Sequence, residues 1–132
     1  MFTFHVQYQT EDFGLIYIET SDGYFPVEIW DDFIDFILYE WLINANTLFQ
    51  EKHSVFKFME GAYEFHVDRM SDTLCTIGFF STNNIQHVPE TTHMPSVVID
   101  FHHFVQELIM IGKLSKDDEI HAVVDALISR VS

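Results

Sequence analysis

Histidine is the residue type in this chain with the widest scope for chemistry, because eight histidines occur among 132 residues. His102 and His103 fall in a predicted helix, and His103 lies one turn before Glu107, a spacing at which two side chains can share a metal ion. His66 and Asp68 share one face of a predicted strand. His66, His102, His103 and Glu107 therefore define one alternative, a small metal-binding domain or enzyme. A single H-x-x-x-E pair has low specificity, and no second chelating pair has a recognisable spacing. We therefore expect no metal and no cofactor.

Three pairs of adjacent carboxylates would suit general acid–base chemistry if they were buried, namely Glu11-Asp12, Asp31-Asp32 and Asp117-Asp118. All three fall at predicted turns or helix starts, where solvated carboxylates are common. The sequence also contains no G-x-x-x-x-G-K-[ST] phosphate loop and no G-x-S-x-G nucleophile elbow. Its single cysteine, Cys75, lies in an apolar run and is expected to be a small buried residue rather than a nucleophile. We predict that the protein is not an enzyme.

The charge balance restricts the kinds of partner. The chain has six Lys and Arg against 21 Asp and Glu, a formal net charge of −15. Residues 1–50 contain nine acids and no Lys or Arg, and the first base is Lys52. Binding to phosphate depends on Lys and Arg, so this composition disfavours direct contact with nucleic acid or an anionic membrane. It favours a basic protein partner, which such a surface attracts.

The apolar periodicity of the first half predicts strands followed by a helix. Alternation at Phe2, Phe4, Val6 and Tyr8 indicates a strand, which pairs as a hairpin with a second strand over Phe13–Thr20. A short extended edge follows at Tyr24–Ile29, where Pro26 is tolerated. From about Trp30 to Gln50 apolar residues recur at spacings of three and four, which predicts one long helix. Asp31, Asp32 and Asp35 would lie in its first turns.

The second half predicts a three-stranded meander and a pair of helices. The three strands are Ser54–Met59, Ala62–Val67 and Thr73–Phe80, and the first two flank a tight Glu60-Gly61 connection. A polar loop over Ser81–Pro95 is expected to contain a short strand at Ile85–Val88. The first helix would begin at Pro95-Ser96 and end at a Gly112 cap, and a Ser115/Asp118 capping box would start the second. The prediction is one α+β domain over 1–132, with a mainly antiparallel sheet, one long helix after the first strands and a C-terminal helix pair.

Acidic and aromatic residues occur together around the predicted long helix and the strands before it. Charged groups of this kind steer a basic partner, and aromatic side chains supply short-range binding energy. The alternative interpretation is a solvated helix face next to core aromatics. The predicted partner-binding residues are Glu11, Asp12, Asp22, Tyr24, Glu28, Trp30, Asp31, Asp32, Asp35 and Tyr39.

In size, acidity, α+β order and aromatic content the chain resembles bacterial immunity proteins of nuclease toxins, including those of contact-dependent growth-inhibition systems. The resemblance is one of general pattern and includes no diagnostic motif. It implies a cytoplasmic antitoxin that binds one cognate toxin domain and blocks its activity. A phage-encoded acidic mimic of nucleic acid is a further alternative. The N-terminus lacks the pattern of a signal peptide, and no apolar run is long enough to span a membrane, so a cytoplasmic protein is expected. The sequence is compatible with a monomer or a homodimer.

Overall fold

The computed structural model describes residues 1–131, and within them the chain forms two antiparallel sheets and three helices. The α+β class and the helix after the first strands are therefore confirmed. In chain order the elements are β1 Phe2–Tyr8, β2 Phe13–Thr20, β3 Gly23–Phe25, β4 Asp31–Phe33, α1 Ile34–Thr47, β5 His53–Lys57, β6 Tyr63–Arg69, β7 Leu74–Ser81, β8 Glu90–Thr91, β9 Val97–Asp100, α2 Phe101–Gly112 and α3 Asp118–Val131.

The first sheet is centred on β2. The hairpin of β1 and β2 runs in register from the Phe2/Thr20 pair to the Tyr8/Gly14 pair. Strands β3 and β4 both pair with the other side of β2, β3 near its end and β4 near its beginning. Side chains alternate across the sheet, so Ile16 and Ile18 are fully buried while their outward neighbours keep partial exposure. This alternation gives the sheet one face in the core and one face toward solvent.

The second sheet places β5, β6 and β7 side by side, and β8 and β9 both pair with the far side of β7. Aromatic side chains join the two sheets and the helices into one core. Phe4 on β1 contacts Trp41 of α1, Phe65 of β6 and Phe104 of α2, with ring centroids 5.6–6.2 Å apart. Buried aromatic contact of this kind supplies a large share of folding stability, which matches the aromatic-rich composition.

The first helix is shorter than the predicted Trp30–Gln50. Residues Asp31–Phe33 form a strand, so the prediction that Asp31 and Asp32 occupy helical turns is wrong. The reason is tertiary, because β2 and the residue before it, Asp12, supply hydrogen-bond partners for this segment and its flanks. The Ile16 N–H donates to the Trp30 carbonyl at 2.9 Å, and the Ile34 N–H donates to the Asp12 carbonyl at 2.7 Å.

Two boundary predictions in the second half are also wrong. Residues 97–100 form β9 rather than the start of a helix, because this β-branched run pairs with β7. The predicted strand at Ile85–Val88 is a turn, and pairing occurs instead at Glu90–Thr91. Helix α2 begins after Asp100, whose side chain accepts a hydrogen bond from the His103 N–H at 3.1 Å.

The two predicted caps between the C-terminal helices also differ from the structure. Gly112 is the last helical residue rather than a cap, and packing explains its glycine: a Cβ there would lie 2.6 Å from Val124 Cγ2. The N-terminus of α3 is capped by Asp117, whose Oδ1 accepts from the Glu119 and Ile120 N–H groups. The predicted Ser115/Asp118 capping box is therefore wrong, since Ser115 is buried and its hydroxyl donates elsewhere.

Candidate functional site

The fold separates the ten predicted partner-binding residues into distinct places. Trp30 and Asp32 belong to structural contacts between elements, and Asp35 and Tyr39 lie on α1. Glu11 and Asp12 lie in the hairpin turn between β1 and β2. The other four lie along the outer side and edge of the first sheet, namely Asp22, Tyr24, Glu28 and Asp31.

Asp32 is a buried structural carboxylate with 0% exposure, so its prediction as a partner-binding residue is wrong. Its oxygens accept hydrogen bonds from the Phe33 N–H at 2.7 Å and from the Met59 N–H at 3.1 Å. They also accept from the Glu60 N–H at 3.0 Å and from Trp30 Nε1 at 3.0 Å. A buried carboxylate is stable only when such donors replace water. Asp32 therefore fixes β4 of the first sheet to the turn between β5 and β6.

Trp30 belongs to the same junction. Its ring is half-buried and contacts Tyr63 and Phe58 at centroid distances of 5.4 and 6.4 Å. Gly61 lies directly beneath it, because a Cβ there would come within 2.9 Å of Trp30 Cη2, and its φ of +76° also suits glycine. These contacts hold the ring against the β5–β6 turn.

Asp35 takes part in a hydrogen-bonded group between α1, β1 and the loop before α3. Its Oδ1 accepts from the Tyr8 hydroxyl at 2.6 Å and from the Ser115 hydroxyl at 3.0 Å. Burial raises the pKa of Tyr8 strongly, and the hydrogen bond to Asp35 adds to the increase. Tyr39 lies one turn further along α1 and lines a shallow groove together with Phe36. Both predicted residues thus lie away from the outer side of the first sheet.

The hairpin turn carries the exposed side chains of Glu11 and Asp12. The Asp12 carbonyl is used internally, since it accepts from the first N–H of α1. Glu11 lines an open cleft of about 430 Å³, which Tyr8, Leu114 and Lys116 also border.

The outer face of the first sheet carries aromatic and acidic side chains on its solvent side. We define this face by the residues on its four strands that point outward. Glu28, in the loop after β3, lies beside the face. The outer face consists of Thr3, His5, Gln7, Phe13, Leu15, Tyr17, Glu19, Tyr24, Asp31 and Phe33.

Ring contacts order the centre of this face. The His5 ring stacks on Tyr17 at a centroid distance of 4.9 Å, and Tyr17 meets Tyr24 edge to face at 5.9 Å. His5 Nε2 lies 2.8 Å from Glu19 Oε1. The negative charge of Glu19, followed by that of Glu28, raises the pKa of the Tyr24 phenol. Two carboxylates and two phenol rings therefore lie within one another's electrostatic reach.

Sequence reasoning did not include His5, Tyr17 and Glu19 among the partner-binding residues. The signal was present, because these residues alternate with the buried Phe4, Ile16 and Ile18 along the two predicted strands. An alternation of this kind places polar and half-exposed aromatic residues on one common face.

Few of the carboxylates are neutralised inside the molecule. In the part of the chain that the structure describes, the ion pairs within 4.0 Å are three histidine–carboxylate contacts: His5 with Glu19, His53 with Asp68, and His66 with Glu64. Arginine is used differently, since Arg69 stacks on Phe101 at 3.8 Å and donates to carbonyl groups such as that of Leu48. Within residues 1–131, no Lys or Arg therefore forms an ion pair with an acid of the outer face.

The residues of the alternative metal-binding hypothesis lie on two elements, His66 on β6 and His102, His103 and Glu107 on α2. His103 Nε2 lies 3.2 Å from the Phe2 carbonyl, while His66 Nε2 lies 2.5 Å from Glu64 Oε2. Among residues 1–131 no group of three or more His, Cys, Asp or Glu has an arrangement that could hold a metal ion. Cys75 is buried as predicted, and burial raises the pKa of its thiol to about 12.

Within the described residues no helix has the length and apolar character needed to cross a bilayer. Comparisons with protein-family models, with curated proteins and with solved structures give no match to the chain.

Proposed function

We propose that the protein is an immunity protein, an antitoxin that binds a basic toxin domain through the outer face of the first sheet and blocks its activity. The observation that carries the proposal is the combination of half-exposed aromatic rings and carboxylates on that face, whose acids form no ion pair with a Lys or Arg within residues 1–131. A nuclease is the preferred toxin class, because nucleases are basic where they contact phosphate. The proposed site of action is the cytoplasm, where a nuclease meets nucleic acid.

The acidic charge supports a role in recognition. Exposed charges act over roughly 8 Å at physiological salt, so the edge acids Asp22, Glu28 and Asp31 would accelerate the approach of a basic domain before contact is made. They would also repel acidic proteins and nucleic acid, which gives selectivity. Steering of this kind changes the association rate more than the dissociation rate.

The aromatic rings supply short-range binding energy, which charge alone does not provide. Tyr and Phe lose little side-chain entropy on binding and bury large apolar areas, which is why they are enriched at interface centres. Tyr17 lies on the central strand β2, Tyr24 contacts it from the edge strand β3, and Phe33, with 39% exposure, lies on the edge strand β4. The expected interface thus has an aromatic centre and an acidic rim.

The proposal is tested by capturing partners from a lysate of the source organism with the purified chain at about 0.05 M and about 0.5 M salt. We expect a basic protein that is retained better at low salt and whose nuclease activity stops at one equivalent of the chain. Reversal of two rim charges, Glu28→Lys with Asp31→Lys, should slow association with that protein at least about tenfold.

The matched control is Asp72→Lys with Asp125→Lys, which changes the net charge equally at the β6–β7 turn and on α3. It should slow association much less, because its charges lie outside the outer face. A captured protein that keeps full activity when saturated with the chain would contradict neutralisation. Equal effects of the two double variants would show that bulk charge, rather than this face, is recognised.

A further inference from the structure

We infer that Tyr17, Glu19, Tyr24 and Glu28 form a subsite for an arginine side chain of the partner, with Tyr24 selecting arginine over lysine. The inference rests on the proposed function and names the chemistry of its central contact. These four residues are called the acid–aromatic group below.

The backbone brings three of the four residues together. Glu19 on β2 and Tyr24 on β3 are direct cross-strand partners, and Tyr17 lies two residues before Glu19 on the same face. Directly opposed residues in an antiparallel pair have their Cβ atoms about 5 Å apart. Glu28 follows in the short loop from β3 to β4, close enough for its charge to act on the Tyr24 hydroxyl. The group is therefore positioned by the sheet rather than by a long loop.

His5 holds the group in place from the β1 side. Its ring stacks on Tyr17 with an interplanar angle of 20°, while its Nε2 contacts the Glu19 carboxylate at 2.8 Å. Tyr17 meets Tyr24 at an interplanar angle of 67°. A side chain whose orientation is already fixed loses less entropy on binding, so the carboxylate and the two rings form a prepared contact.

The group contains no Lys or Arg, and its basic neighbour is His5, whose Nε2 lies 2.8 Å from Glu19 Oε1. Tyr24 is half-buried, and the negative charges of Glu19 and then Glu28 raise the pKa of its phenol. A cationic side chain from outside would thus complete the group, and the two carboxylates define where its charge should lie.

Guanidinium fits this setting better than ammonium. It is planar, stacks on aromatic rings and donates two parallel hydrogen bonds to a carboxylate. An ammonium group is compact and more strongly hydrated, so it gains less from a ring face. Aromatic rings beside carboxylates therefore favour arginine, whereas carboxylates alone would attract both cations.

The experiment compares an oligoarginine peptide with an oligolysine peptide of equal length, measured by calorimetry against the purified chain. We expect oligoarginine to bind about five-fold more tightly, which is the size of one cation–π contact at an exposed site. Tyr24→Leu should reduce the ratio of oligoarginine affinity to oligolysine affinity to about one and leave the oligolysine affinity nearly unchanged. Tyr24→Phe, which keeps the ring, should retain the preference, and Glu28→Gln should weaken both peptides.

Tyr39→Leu is the matched control, because Tyr39 is also half-buried but lies on α1 outside the group. Thermal unfolding of every variant checks that it folds. Equal binding of the two peptides to the wild type, binding of neither, or a preference that survives Tyr24→Leu would overturn the subsite. Self-association that Tyr24→Leu abolishes, measured by sedimentation, would assign the surface to a second copy and would also overturn it.

The experiments distinguish a failure of the proposed antitoxin function from a failure of the arginine subsite. If Glu28→Lys with Asp31→Lys slows capture of a basic partner while the peptides show no arginine preference, the antitoxin role stands and the subsite falls. If the peptides show the preference but no captured basic protein is neutralised, the face binds arginine and the antitoxin role falls.

Discussion

Replacement of Asp32 by alanine should cost more stability than any other single change among the acidic residues 1–50. The Asp32 carboxylate is fully buried and accepts hydrogen bonds from one indole and three backbone N–H groups. Alanine has no acceptor atom in its side chain, so these four donors lose their hydrogen-bond partner. Because the donors belong to Trp30, to β4 and to the β5–β6 turn, the loss weakens the junction between the two sheets.

The size of the loss in free energy of unfolding depends on how far water can hydrate the donors once the carboxylate is removed. All four hydrogen bonds lie in a partly buried setting, so water can replace the carboxylate only in part after the change. Counting half of them as unreplaced by water gives the equivalent of two lost bonds. A hydrogen bond to a charged group contributes roughly 1.5–3 kcal/mol, so two lost bonds should lower the free energy of unfolding by about 3 kcal/mol or more.

Urea unfolding followed by tryptophan fluorescence measures this change, and Asp31→Ala is the matched control. Asp31 is the adjacent residue, has the same side chain and is exposed, so its replacement should stay within about 0.5 kcal/mol of the wild type. Asp32→Asn should fall between the two, because an amide keeps one acceptor oxygen but turns an NH₂ toward donors. If Asp32→Ala destabilises no more than Asp31→Ala, the structural role argued for Asp32 is refuted.

Two further predictions concern backbone strain and the buried thiol. Ile29 has φ of 58° and 66% exposure, so Ile29→Gly should relieve left-handed strain and raise the free energy of unfolding by about 1 kcal/mol in urea titration, and a decrease would contradict this. The pKa of Cys75 rises from 9.0 to about 12 on folding, so above about pH 9 only the unfolded chain releases the thiol proton and stability falls with pH by up to about 1.4 kcal/mol per unit. Cys75→Ala should flatten this part of the curve, and rapid thiol labelling of the native protein at pH 8 would show that the thiol is not buried.

Alternation along the strands was the part of the fold that sequence predicted best. The β1–β2 hairpin has its predicted boundaries to within a residue, because the period-two pattern decides which side chains enter the core. The β5–β6–β7 meander followed for the same reason, with boundaries shifted by one or two residues. Local pattern was sufficient in these strands because their partners are neighbours in the sequence.

Local pattern failed where the partner is more distant or where two periods overlap. Trp30, Phe33, Ile34 and Ile37 fit a helical spacing, yet the first two belong to an extended segment that pairs with β2. The apolar spacing over residues 97–100 predicts helix for a similar reason, although these residues pair with β7, about 20 residues earlier in the chain. In both places a backbone ladder that exists only after folding overrode the local preference.

By itself the sequence determined the α+β content, the burial of Cys75 and a net charge of −15 with no base before Lys52. Only the tertiary structure decided which acids are available to a partner. Asp31 and Asp32 are adjacent and chemically identical, but successive residues of a strand point to opposite sides. Strand β4 therefore presents Asp31 to solvent and buries Asp32 among donors from another part of the chain. The same geometry brought His5, Tyr17 and Glu19 to the outer face beside Tyr24, through cross-strand pairing that a charge count does not contain.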